Sequence, residues 1–406
     1  MSFGLTERNL QLQPWRYLLE VAHTLAKRGH EVCLLSDGWP HLPERAVLAG
    51  FPVTRLSNIS DHPVRGNPIL IRAVESLEPD LALWHLGSTS FLRLSTLRRL
   101  PIPVVGLFTS PLYRPGELFR LGIVRLLRGW RLTAVHLVGL LVPGLLMRRA
   151  LHHDILISLV VECDTTRDRL IERGLPAGQV RVIRPGIDAT WFEGVPSPAE
   201  RLEIRREMGY APDDVVVAFF GPPTPLRGLP ALLQAVAVVQ KEDPAIKLLA
   251  LSRQRDGELA REQQAIEALV ERLGAGPWAC IETGFLPREH VIRTLAGCDL
   301  VALPFEVVPS DVPLSVLEAM ALGLPVITTD VACLPELVPD GTGLRVPPAD
   351  ARALAAALLT LAASREQRER LGEQARERAL SWAMPGPGSG VWDETLRTGY
   401  SARGAV

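Results

Sequence analysis

Short apolar runs rich in β-branched residues recur along the chain, separated by turns and by stretches of helical periodicity. Val104 to Phe108, Val215 to Phe220, Lys247 to Leu251, Leu300 to Pro304 and Val326 to Thr329 are such runs. Runs this short, apolar on both alternating sets of positions, predict strands of a parallel sheet covered on both faces. Further strands are expected at Glu31 to Ser36, Leu81 to Trp84, Ile155 to Val161 and Val180 to Ile183. No strand is read between Ser36 and Leu81, and Ser2 to Leu5 supplies at most the end of one. Pro14 to Lys27, Thr165 to Arg173, Leu229 to Val239 and Arg288 to Ala296 carry helical spacing. Strands and helices in alternation predict an α/β chain of doubly wound units. The pattern runs twice, with Pro196 to Glu200 as the expected linker.

Composition narrows this picture. With 406 residues, two domains are the natural division. Hydrophobic residues make up 47% but aromatics only 5%, so the core is built from Leu, Val and Ala. A net charge of −1 gives no general attraction to nucleic acid, and no nucleic-acid partner is expected. The five cysteines (Cys33, Cys163, Cys280, Cys298, Cys333) are scattered, without metal-ligand spacing. Reduced core thiols in a cytoplasmic protein are the expectation, with no metal site. No signal peptide is read at the start.

The densest chemistry lies between Pro309 and Asp350. Ser310, Asp311 and Pro313 read as a turn, Ser315 as the cap of a helix Val316 to Leu322, and Gly323 as its end. A helix start facing a loop presents unpaired N–H groups and a positive dipole end, which suits a phosphate. Glu318, one turn inside, is the one carboxylate on an apolar surface and can accept from the two hydroxyls of a ribose. Phosphate and ribose together point to a nucleotide. The plain alternative is a solvated Glu on an ordinary helix.

Glu318-Ala319-Met320-Ala321-Leu322-Gly323-Leu324-Pro325-Val326 resembles the donor-binding motif of the family 4 glycosyltransferases, also called glycosyl transferases group 1. The resemblance implies the GT-B fold: two Rossmann-like, doubly wound parallel-sheet domains facing a cleft. It implies an acceptor-binding domain over residues 1–193 and a nucleotide-sugar-binding domain over 194–384. Residues 385–406 would form a linker and a helix crossing back to the first domain. The implied activity is transfer of a sugar from a nucleotide-diphosphate donor to a hydroxyl, with retention and without metal or cofactor. Glu318 would hold the ribose. The family's earlier Glu falls at Ser310, so its role passes to Asp311 or, less readily, Glu306.

Other segments extend the resemblance. Gly221-Pro222-Pro223-Thr224-Pro225-Leu226-Arg227-Gly228 matches the family's phosphate loop, with Arg227 as the cation on the diphosphate. Leu314 and Ser315 would donate N–H groups to that diphosphate, and Gly284, Phe285 and Leu286 would edge the base. The string Leu25-Ala26-Lys27-Arg28-Gly29-His30-Glu31-Val32 is familiar from the same enzymes. Leu10 to Trp15 replaces their Gly-Gly loop, so side chains such as Arg16 would act there. Arg16, His85, Thr109 and Ser110 are the expected acceptor side, with Thr109 where many members carry His. Three departures (the loop, Thr109, Ser310) keep a non-catalytic GT-B subunit open, and a nucleotide-sugar epimerase is a further alternative.

Arginines at 120, 125, 128 and 131 precede an apolar run, Leu132 to Met147, and Arg148 and Arg149 follow it. The run is short for a span of about 20 residues. A buried helix pair is the first expectation for 118–149. The alternative is an element lying on a membrane surface, fitting a glycan or lipid-linked acceptor and peripheral attachment to the inner face.

Overall fold

The computed structural model describes residues 2, 5–7, 10, 15–38, 42–57, 66–87, 94–120, 148–149, 151, 156–253, 260–284, 286–383 and 392–397. The expectations for 121–147 and for Phe285 therefore lie outside the described residues. No helix among the described residues is long and apolar enough to cross a membrane.

The first half carries helix α1 (Trp15–Lys27) and strands β1 (Leu34–Asp37), β2 (Arg45–Leu48) and β3 (Phe51–Leu56). Helix α2 (Pro68–Leu77) leads to β4 (Ala82–Leu86), followed by β5 (Val104–Phe108), β6 (Ser158–Val161), α3 (Asp164–Glu172) and β7 (Val180–Val182). One sheet runs β1-β3-β2 and a second β4-β5-β6-β7. The β2–β3 hairpin is antiparallel, and the sequence reading missed it. Its edge strand is mostly exposed, with Val47 at 71%, and Pro52 interrupts its partner, so neither shows a clean buried run. Ala49 and Gly50, both at positive φ, make the tight turn.

The two sheets share one layer. Leu34 and Val53 from the first join Val105, Leu107 and Val160 from the second in a single core under α1. Val104, Phe108, Leu159 and Val161 fill the opposite face. The opening segment passes between the sheets: Ser2 N–H donates to Leu35 O at 3.0 Å, and its hydroxyl meets His85 Nδ1 at 3.3 Å. Below it, between β1 and β4, lies a cavity of about 490 Å³ lined by Leu18, Leu25, Val32, Leu34, Val74 and Leu83.

The second half has six parallel strands: β8 (Val215–Gly221), β9 (Ile246–Arg253), β10 (Ala279–Gly284), β11 (Leu300–Ala302), β12 (Val326–Thr329) and β13 (Gly343–Val346). Their order is β10-β9-β8-β11-β12-β13. The winding reverses between β8 and β11, and open α/β sheets bind ligands at the carboxyl ends beside such a reversal. The chain crosses between the cores after Ile183, which packs in the first; Trp191 packs in the second. A helix at 198–207 opens with a Ser197–Glu200 capping box, so helix begins inside the expected linker Pro196 to Glu200. After Trp382 in the second core, the helix at 392–397 returns: Trp392 and Leu396 are buried in the first core.

Candidate functional site

Two loops meet at the reversal point of the second sheet. The loop after β8 turns at Gly221 and ends in a 3-10 turn, Pro225–Arg227. The loop after β11 folds over it, with Glu306 and Val307 N–H groups donating to Leu226 O at 2.9 and 3.1 Å. Gly228 packs so tightly here that a Cβ would stand 2.1 Å from Pro304 O, and its φ of +92° already excludes most side chains. Arg227 is half-buried and lies back across Gly221, where a Cβ would meet Nη1 at 2.4 Å. Its guanidinium faces the Phe305 ring at 5.9 Å and pairs with no described carboxylate. Burial lowers the Arg227 pKa to about 10, so it stays charged at neutral pH. A half-buried cation with no described counter-ion is a candidate anion site.

Helix α4 (Leu314–Ala321) starts at the end of the β11 loop. Ser315 does not cap it: the helix begins one residue earlier and the N-cap is Pro313, which has no side-chain acceptor. The N–H groups of Leu314 and Ser315 bond to no described protein group. Glu318 stands one turn in and is half-buried. Gly284 closes the same sheet edge at the carboxyl end of β10, at φ +133° with open space where a Cβ would be. Leu286 beside it packs against the core.

Ser310 and Asp311 are not open to this crevice. Ser310 is buried and its hydroxyl donates to Val312 O at 3.1 Å. Asp311 is 1% exposed and turned into the first domain. Its carboxylate accepts from Glu162 N–H at 3.0 Å and from the hydroxyl of Thr166. Glu162 answers by accepting Val312 N–H at 3.0 Å. Burial pushes Asp311 up to about 7, and raises Glu162 as well, with Asp311 the second cause. Asp311, expected on the donor side, thus joins the domains. Glu306 is also buried, its N–H on the Arg227 loop.

The first domain brings its own residues to the junction. His85, near the carboxyl end of β4, meets Thr109 Oγ1 through Nε2 at 2.7 Å. Burial lowers the His85 pKa to about 4, so the ring is neutral at pH 7. Thr109, just past β5, accepts Asp311 N–H on its carbonyl at 2.8 Å, and Ser110 follows. Arg16, near the start of α1, reaches across the junction: its Nη1 donates to Glu318 Oε1 at 2.8 Å. The sequence reading had these two on separate ligands. It also missed Glu20, Glu162 and Glu336. Glu336 accepts the N–H groups of Asp164 and Thr165 at 3.1 and 2.7 Å, so a second-domain carboxylate caps the start of α3. A Glu within a short apolar segment was the available signal for Glu162 and Glu336.

Comparison with known proteins accounts for this arrangement. The glycosyltransferase family 4 model matches residues 15–191 and the glycosyl transferases group 1 model matches 214–364. A D-inositol 3-phosphate glycosyltransferase from Nocardia farcinica is 32% identical over 223 residues, 53% of this chain and 47% of that protein. The chain thus spans about half the length of the curated relatives it matches. The structure resembles sucrose-phosphate synthase from Thermosynechococcus elongatus, with a TM-score of 0.71, 20% identity, and 95% and 93% of the two chains covered. It also resembles Anabaena Alr3699/HepE, solved in complex with UDP and glucose, with a TM-score of 0.68, 18% identity, and 97% and 98% covered. At these identities the structural likenesses establish the fold, two Rossmann-like domains in the GT-B arrangement. With one model on each half, the chain belongs to the family 4, or group 1, glycosyltransferases.

Proposed function

We propose that this chain transfers a sugar from a nucleoside diphosphate donor to a hydroxyl of a glycan or lipid-linked acceptor, with retention and without a metal ion. One observation carries the reading. The loops after β8 and β11 meet at the reversal point of the second sheet; the first carries Arg227, which has no carboxylate partner among the described residues, and the second leads into the helix whose Leu314 and Ser315 N–H groups bond to no described group and which carries Glu318 one turn further. A diphosphate binds the cation and the helix start, and the ribose hydroxyls bind Glu318. As the sugar C1–oxygen bond to the diphosphate breaks, charge builds on the departing phosphate oxygen, and Arg227 and the helix start would stabilise it. The acceptor oxygen bonds to C1 from the same face, and its proton passes to that departing oxygen. The Arg227 cation and the N–H groups fill the place a metal takes elsewhere.

A uridine diphosphate sugar is the donor to try first, because a protein of this fold is solved with UDP. The acceptor panel starts with inositol 3-phosphate, named for the relatives, and extends to sugars and lipid-linked glycans. The anomeric signal of the product by NMR, with and without a chelator, tests the proposal. Retention with an unaltered rate in chelator is expected; an inverted product or strict dependence on magnesium contradicts it.

A second reading is a nucleotide-binding subunit without turnover. The burial of Ser310 and Asp311 favours it, because it leaves the position of the family's first Glu without an open carboxylate. Binding of donor with no transfer or hydrolysis across the panel would select it.

A further inference from the structure

We infer that Arg16 is the positioning residue of Glu318, so that one ion pair serves both ribose recognition and the contact between the two domains; this rests on the ribose reading above. The pair joins residues 302 positions apart, from the first helix of one domain to the donor helix of the other. The two side chains are 12% and 15% exposed, so the pair is screened less than a surface contact.

Arg16 is poorly placed for its own helix. It is the second residue of α1, where the dipole disfavours a cation, and α1 has no acidic residue in its first turn. Carboxylates compensate. Glu20 lies one turn on, its Oε1 at 3.6 Å from Arg16 Nε. Glu20 Oε2 is itself fixed by Gly186 N–H at 3.0 Å, in the strand of chain that crosses between the cores. Burial raises the Glu20 pKa, and Arg16 opposes that rise. A relay therefore runs from Gly186 through Glu20 and Arg16 to Glu318, and sets the Arg16 side chain before any ligand arrives.

Toward Glu318, Arg16 donates from Nη1 and occupies Oε1. No described residue bonds Oε2, which the ribose hydroxyls would take. With Arg16 in place the carboxylate is held in one rotamer. Without it, the same carboxylate must find its orientation on binding, at a cost to affinity. Arg16 is thereby assigned to the donor side through Glu318 and not to the acceptor.

The test compares two probes by calorimetry: uridine diphosphate and 2′,3′-dideoxyuridine diphosphate, which lacks the hydroxyls. For the native chain the dideoxy analogue should bind roughly tenfold weaker or worse, the size of a lost hydrogen bond to a charged group. In Arg16→Met that ratio should collapse toward one, through weaker binding of uridine diphosphate alone. Arg16→Lys should restore part of it. A general structural role for Arg16 would weaken both probes equally and keep the ratio, and an acceptor role would change neither; either result overturns the inference. A native ratio of one, or no binding of uridine diphosphate, overturns the ribose reading itself.

Discussion

Half-buried Arg227 and fully buried Asp311 are both ionisable, and the structure treats them oppositely. Arg227 keeps its charge and has no described counter-ion, a place that a bound diphosphate would fill. Arg227→Gln should weaken nucleoside diphosphate binding by about 1.5–3 kcal/mol, the range for hydrogen bonds to charged groups, measurable by calorimetry. Gly221→Ala should act similarly, because its Cβ would displace Nη1. Asp311 instead lies against Glu162, with burial the chief cause of its raised pKa. Its carboxyl ionises near its ordinary value of 3.8 when unfolded and at about 7 when folded. Between those values the unfolded chain has released a proton that the folded chain still holds, so stability falls as pH rises through that window. Asp311→Asn keeps an acceptor for Glu162 N–H and should flatten this part of the profile. Melting temperatures at pH 5 and pH 8 check it: the native chain should lose more between them than the variant.

Among the elements, what the sequence made legible was local. The strand–loop–helix units around Arg227 and Glu318 each lie within a short stretch, so turn residues, a cation and a carboxylate could be read in order. The contacts between domains could not. Asp311 meets Thr166 at a separation of 145 positions, and Glu336 meets Thr165 at 171, and no local pattern encodes such pairings. The same holds for the Arg16–Glu318 pair. The β2–β3 hairpin was missed because an exposed edge strand lacks an apolar run. The returning helix at 392–397 was anticipated from the resemblance, and Trp392, fully buried in the first core, shows what it contributes. Its neighbours pair outward, Asp393 with Arg28 at 2.7 Å and Glu394 with Arg181 at 2.9 Å. Trp392→Ala should cost about 3–5 kcal/mol by chemical denaturation, because it empties a packed site. A loss under 1 kcal/mol would mean the helix is not a working part of that core.

At the scale of the molecule, two sheets present their carboxyl ends to one junction. The second brings a cation, an open helix start and a carboxylate. The first brings Arg16, the neutral His85 and Thr109. The carboxylates Asp311 and Glu336 fasten the second domain to the start of α3, so the junction is held by buried hydrogen bonds as well as by the ion pair. The central claim is that this junction is a nucleoside diphosphate site, and calorimetric titration of the native chain with uridine diphosphate, alongside Arg227→Gln and Glu318→Gln, tests it most directly. Saturable binding to the native chain and a weakening of tenfold or more in each variant are expected, with the melting temperature of Arg227→Gln unchanged in the absence of ligand. Equal affinity in all three proteins would contradict it and place the nucleotide elsewhere.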